Sequence, residues 1–172
     1  MRSRITGEPF VAVLAFCVCA VLASQDSTAD LQARFDRESD AVRKAKLFTK
    51  LGDKQFEDTR SASRASNYQL VGFTMEKYRD NARIVLQGLK ESHSDAYRHT
   101  GGYKQLQMHV HRALHELDEL LVVTPSEYKP PLQLVRRDLV AFDEELLELL
   151  FPPRPERKRT AERSSLHPEK QP

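Results

Sequence analysis

Three of the six histidines in this 172-residue chain lie close together, at His109, His111 and His115. His111 and His115 are four positions apart, so on a helix their imidazoles share one face, while His109 lies on another. Asp118 and Glu119 follow one turn later. Because two imidazoles and a carboxylate are ligands that zinc accepts, His111, His115, Asp118 and Glu119 are the candidate ligands of a metal site. The pattern favours a plain exposed polar helix face, and the predicted metal site and a surface that responds to pH are the alternatives.

No other pattern in the chain indicates chemistry. The residues between His111 and His115 do not form a His-Glu-x-x-His motif, and the chain has no nucleophile elbow or Gly-rich phosphate loop. Glu144 and Glu148 are one turn apart but lie off the apolar positions, which is typical of a solvated charged face. We therefore predict a non-enzyme that requires no cofactor.

The elements that would position these residues are helices, because apolar residues recur at intervals of three and four. The clearest series, near the carboxyl end, consists of Leu132, Val135, Leu139, Phe142, Leu146 and Leu149. It predicts a helix from about Pro131 to Phe151, preceded by a short turn at Thr124–Lys129. A second helix is predicted from about Tyr103 to Val123, after a loop at Gly101 and Gly102.

The first half of the chain predicts further helices. Apolar residues from Val71 to Leu89 follow the same period, and those from Leu31 to Ala65 indicate two helices that join or kink near Gly52. With 30% charged residues, 6 Gly and no Trp, the composition also favours helices over a sheet. The predicted fold is an all-α antiparallel bundle of four or five helices over residues 25–151.

One segment resembles a known helical repeat. The stretch from Phe56 to Tyr78 contains Ser66-Asn67-Tyr68 followed by Val71, Met75 and Tyr78, and it resembles one degenerate tetratricopeptide hairpin. The resemblance implies two antiparallel helices at this place. No second copy follows at a 34-residue period, so we expect a single hairpin within a bundle instead of a peptide-binding superhelix.

The amino terminus resembles an export signal in composition. Arg2 and Arg4 precede an apolar run from Phe10 to Ala23, which is shorter than the roughly 20 residues of a membrane-spanning helix. We predict a signal peptide over residues 1–24 that is cleaved, leaving no stable membrane span; a retained anchor is the alternative. Both cysteines lie within this segment, so the mature chain would have no disulfide. The predicted location is extracytoplasmic, periplasmic or secreted, in a bacterium.

The carboxyl end predicts a disordered, basic, Pro-rich tail over residues 152–172, with six basic and three acidic residues. Its charge suggests an anionic envelope surface as a partner. Few aromatic residues accompany the basic ones, so no nucleic-acid partner is expected. Charge is also uneven within the bundle: Gln25 to His115 carries 16 basic and 12 acidic residues, net +4, whereas Glu116 to Phe151 carries three and nine, net −6. Either the two parts neutralise each other across the fold, or each binds an external partner.

Taken together, these patterns predict an exported, non-catalytic interaction or structural module with an unknown protein partner. The alternative is an extracytoplasmic helical protein that binds a metal or a small ligand through the face of His111 and His115.

Overall fold

A computed structural model describes residues 27–93, 95–98 and 100–152, and within these ranges the chain forms five α-helices and no strand. The helices are α1 (Thr28–Arg37), α2 (Ala41–Arg64), α3 (Tyr68–Ser92), α4 (Thr100–Val123) and α5 (Lys129–Leu150). A single 3-10 turn at Ser126–Tyr128 joins α4 to α5. The predicted signal segment, residues 1–24, and the predicted tail beyond Pro152 lie outside the described residues.

Short polar side chains determine where three of the helices begin. Their side-chain oxygens accept amide hydrogens of the first turn at 2.8 to 3.2 Å, and so satisfy donors that a helix N-terminus leaves unpaired. These residues are Ser27 in α1, Asp40 in α2 and Asn67 in α3. The α5 helix instead has Pro130 and Pro131 in its first turn, as the sequence predicted.

Four long helices stand at the corners of a bundle in the order α2, α3, α5, α4. Consecutive helices run antiparallel. Phe48 of α2 contacts Tyr78 of α3, whereas the later Thr59 contacts the earlier Met75. Likewise Gln107 of α4 contacts Asp143 of α5, whereas the later Asp118 contacts the earlier Arg136. The α1 helix covers α2 on the outside. The predicted antiparallel bundle is therefore confirmed, with five helices.

The predicted apolar faces form the core. Leu132, Val135, Leu139 and Leu146 of α5 are fully buried, while Phe142 and Leu149 pack at its margin. The predicted face of α3 is buried throughout, from Val71 to Leu89. None of the helices in the described part of the chain combines the length and the apolar character that crossing a bilayer requires.

Two predictions about glycines were wrong. The break between the first two helices lies at Glu38–Asp40, where Asp40 caps α2, and Gly52 lies in the middle of an unbroken α2. Gly101 and Gly102 belong to the first turn of α4, and a Cβ atom on Gly102 would lie 2.6 Å from Leu89 Cδ2. Close helix packing, rather than a turn, accounts for Gly52 and Gly102.

Candidate functional site

The predicted ligands His111 and His115 lie on the outer side of α4, and both are exposed. Their ring centroids are 5.1 Å apart, with the rings nearly perpendicular. His111 Nδ1 also lies 3.5 Å from Asp143 Oδ2 of α5. The structure thus brings the two imidazoles together and adds a carboxylate that the sequence pattern did not identify.

The two predicted carboxylates have other surroundings. Asp118 Oδ1 accepts a hydrogen bond of 2.7 Å from Arg136 Nε, which holds it towards α5. Glu119 lines a groove towards α2. Among the residues described, no three His, Cys, Asp or Glu side chains converge where a metal ion could be held. The four-residue metal site stays a prediction.

His109 has a different environment, inside the bundle. Its ring is packed among three aromatic rings, with centroid distances of 5.3 Å to Phe56, 5.4 Å to Phe48 and 5.7 Å to Tyr78. His109 Nδ1 lies 2.8 Å from the Tyr78 hydroxyl, which also donates to the His109 carbonyl at 3.1 Å. This histidine therefore links α2, α3 and α4 at the centre of the molecule.

The electrostatics of this cluster favour a neutral imidazole. Burial lowers the pKa of His109, and the nearby carboxylate of Asp53 opposes that effect only in part. His109 Nε2 has no hydrogen-bond partner and lies 3.4 Å from Asp53 Oδ1. The same Asp53 oxygen accepts a hydrogen bond of 2.6 Å from Arg112 Nη1. Burial likewise raises the pKa of Tyr78. Both buried groups are thus held in uncharged forms at neutral pH.

Gly52 provides the space for His109. A Cβ atom on Gly52 would lie 2.4 Å from His109 Cε1 and 2.8 Å from Tyr78 Cε2, closer than real Cβ contacts. Only 7% of the His109 surface is exposed, and its ring contacts join the three helices. A signal was present in the sequence, because Leu106, His109 and Ala113 continue the intervals of three and four along α4.

An open groove lies between the carboxyl-terminal halves of α2 and α4, and sequence reasoning did not identify it. Its volume is about 250 Å³. Arg60 of α2 and Glu116 of α4, which both line the groove, are joined by hydrogen bonds of 2.7 and 2.8 Å from Arg60 Nη1 to the two carboxylate oxygens. Val123 exposes 58% of its surface there. The lining residues are Arg60, Ser63, Arg64, Glu116, Glu119, Leu120 and Val123.

Comparison of the chain with protein-family models, with curated proteins and with solved structures finds no match. The tetratricopeptide resemblance of Phe56 to Tyr78 therefore stays a prediction. In the structure this segment spans the end of α2, the turn at Ala65–Asn67 and the first half of α3.

Proposed function

We propose that this protein is an exported, non-catalytic helical module that binds a protein partner through the groove between α2 and α4. One observation carries the proposal: the groove is lined by the apolar side chains of Leu120 and Val123 together with charged side chains of both signs. Apolar side chains next to polar and charged ones are the usual composition of a protein interface.

The unpaired charges of the groove favour an oriented partner. Arg60 and Glu116 neutralise each other, but Arg64 on α2 and Glu119 on α4 form no ion pair with other described residues. A partner segment with charges of opposite sign at its two edges would satisfy both groups. Such complementarity selects partners and sets their orientation more than it adds affinity.

A matched pair of variants tests this function. Val123 lines the groove, whereas its neighbour Val122 is 81% exposed and lies outside it. Val123→Glu should abolish affinity capture of the partner, as read by mass spectrometry, because it places a charge where the groove offers an apolar contact. Val122→Glu is the control and should capture the same protein as the parent. Retention of the partner by Val123→Glu, or its loss from both variants, would reject the groove.

Export is part of this proposal and is supported by the amino-terminal pattern of Arg2, Arg4 and the apolar run to Ala23. We expect the mature protein to begin near Ser24 or Gln25, which intact-mass analysis of exported material measures. A mature mass that retains residues 1–23 would identify an anchor instead.

The second candidate function is metal or small-ligand binding through His111 and His115. What favours it is the contact between the two rings and the carboxylate of Asp143 within 3.5 Å of His111 Nδ1. Elemental analysis of protein purified without a His tag should then find stoichiometric zinc or copper, lost in the double variant His111→Ala/His115→Ala. A parent protein without such metal would reject the metal-binding form of this alternative.

A further inference from the structure

The elbow where α1 meets α2 forms a second open groove, of about 500 Å³, at the opposite end of α2 from the first. Four cationic side chains and one carboxylate line it, a net charge of +3. The lining residues are Arg34, Arg37, Glu38, Arg43, Lys46 and Leu47. The turn at Glu38–Asp40 brings the last turn of α1 and the first turns of α2 to the same place, which concentrates their cations.

The single carboxylate of this groove is already used within the fold. Glu38 Oε1 accepts from the Asp40 amide at 2.9 Å, and Glu38 Oε2 lies 3.2 Å from Arg43 Nε. Lys46 forms no ion pair with the described residues, and Arg37 Nε donates only to the carbonyl of Ala33. Positive charge therefore exceeds what the protein itself neutralises at this elbow.

The positive surface continues along α2. Lys50 is exposed and lies one turn beyond Lys46 on the same helix face, with no ion pair to the described residues. The α5 helix stands at the opposite corner of the bundle, and its exposed residues include Glu144 and Glu148. The molecule thus has a cationic flank and an anionic flank, and it would turn the first towards a negatively charged surface.

We propose that this basic groove docks the protein on an anionic phospholipid surface. Its cations lie along an open flank rather than around a closed pocket, so they fit an extended array of phosphates better than one small anion. Guanidinium groups bind phosphate oxygens in bidentate fashion, and Leu47 offers apolar contact between the charges. No aromatic side chain lines the groove, so bases of a single-stranded nucleic acid would have nothing to stack on.

Vesicle co-sedimentation tests the proposal, with a protein that starts at Gln25 and so keeps every residue of the five helices. Vesicles contain equimolar phosphatidylglycerol and phosphatidylcholine, or phosphatidylcholine alone. The double variant Arg37→Gln/Lys46→Gln removes two charges from the groove. The control, Lys77→Gln/Lys104→Gln, removes two exposed cations of α3 and α4 that form no ion pair with the described residues.

We expect the parent to bind only the anionic vesicles. The groove variant should bind them roughly thirtyfold more weakly, because each basic residue near an anionic surface contributes about 1 kcal/mol, or a little over fivefold in affinity. The control should stay within a factor of about two, and circular dichroism should show both variants folded. Equal losses in both variants would indicate attraction by net charge alone and would overturn the proposal. The proposal would also be overturned if the groove variant bound anionic vesicles as tightly as the parent does. Binding of the parent to an acidic peptide, but not to vesicles, would overturn it too. The test is independent of the α2–α4 groove, which retains all its residues in these variants.

Discussion

Gly52 lies beneath the ring of His109, and the missing side chain at this position allows α2 and α4 to approach. The buried cluster of Gly52, Tyr78 and His109 is thus a packing unit in which each residue restricts the others. The polar ring of His109 is tolerated in the core because one of its nitrogens, Nδ1, forms a hydrogen bond with the Tyr78 hydroxyl.

Gly52→Ala should therefore destabilise the protein by about 1 to 3 kcal/mol or more, because the new methyl group meets two rings that cannot move freely. Gly88→Ala is the matched control, since its Cβ would make an ordinary contact of 3.8 Å with Ala41 Cβ. That substitution should stabilise by up to about 1 kcal/mol through helix propensity. Chemical denaturation measures both, and equal effects would contradict the close packing at Gly52.

Stability should also depend on pH through His109. Burial lowers the pKa of His109 in the folded protein, whereas in the unfolded chain this pKa is about 6.5. Below about pH 6.5 the unfolded chain therefore binds more protons than the folded protein does. The contribution of His109 is thus complete above about pH 6.5 and is lost as the pH falls towards the folded-state pKa, at no more than about 1.4 kcal/mol per pH unit. Denaturation between pH 7 and 5.5 measures the slope, which His109→Gln should flatten. If NMR shows the His109 ring titrating at or above about 6.5 in the folded protein, this prediction fails.

At the scale of the elements, the turn between α2 and α3 is made with an unfavourable residue. Ser66 has φ of 57° at the position after the helix cap, and the amides of Ser66 and Asn67 bond back to Ser63 and Ala62. This is a Schellman motif, in which glycine is the usual residue because it has no Cβ to crowd.

Ser66→Gly should accordingly stabilise the protein by about 0.5 to 1 kcal/mol, since relief of the left-handed conformation exceeds the added entropy of the unfolded chain. Ser61→Gly makes the same change on the exposed face of α2 and should destabilise by about 0.5 kcal/mol. Thermal unfolding of the two variants gives the comparison. Destabilisation by Ser66→Gly would mean that the serine side chain contributes to the turn.

The last helix provides the test of the predicted apolar series. Leu139 is fully buried and Glu144 is exposed. Leu139→Ala should cost about 2 to 5 kcal/mol through lost burial and the cavity left behind, whereas Glu144→Ala should change stability by no more than about 0.5 kcal/mol. Denaturant titration measures both values, and two small effects would show that α5 contributes little to the core.

Helix type and burial could be read from the sequence because intervals of three and four depend only on helix geometry. The long face of α3 and the core of α5 followed directly from that period. The roles of Gly52 and Gly102 could not be read, because they depend on which helix lies opposite. His109 could have been identified as a core residue, because it continues the intervals of three and four along α4. Its aromatic neighbours could not, since Phe48, Phe56 and Tyr78 are distant in sequence.

At the scale of the whole molecule, the two oppositely charged parts of the chain partly neutralise each other. Cations from α2 and α3 pair with acids of α4 and α5 in three places. These pairs are Arg60 with Glu116, Arg79 and Arg83 with Asp138, and Lys90 with Glu145. Glu144 and Glu148 form no ion pair with the described residues and leave a negative flank on α5. The first interpretation of the charge pattern, neutralisation across the fold, thus holds at these three places, and the binding of an external partner stays a prediction.

Because α5 has a negative flank and residues 152–172 are basic, deleting this tail tests whether the two interact. Among the described residues, Leu150 is the last member of the core, while Phe151 is 74% exposed and Pro152 is exposed as well. Deleting residues 152–172 should thus shift the melting temperature by less than about 3 °C. It should also weaken binding to anionic vesicles in a salt-dependent way, because the segment carries net +3. Calorimetry and co-sedimentation at two salt concentrations measure these effects.

A truncated protein that melts many degrees lower would instead place the tail on the acidic stretch from Glu116 to Glu148. In that case raising the salt concentration should lower the melting temperature of the full chain towards that of the truncated one, because salt screens the ion pairs between tail and flank. The negative flank would then be an internal partner of the tail. Vesicle binding would then depend chiefly on the groove at α1 and α2, and Arg37→Gln/Lys46→Gln would weaken it roughly thirtyfold whether or not the tail is present.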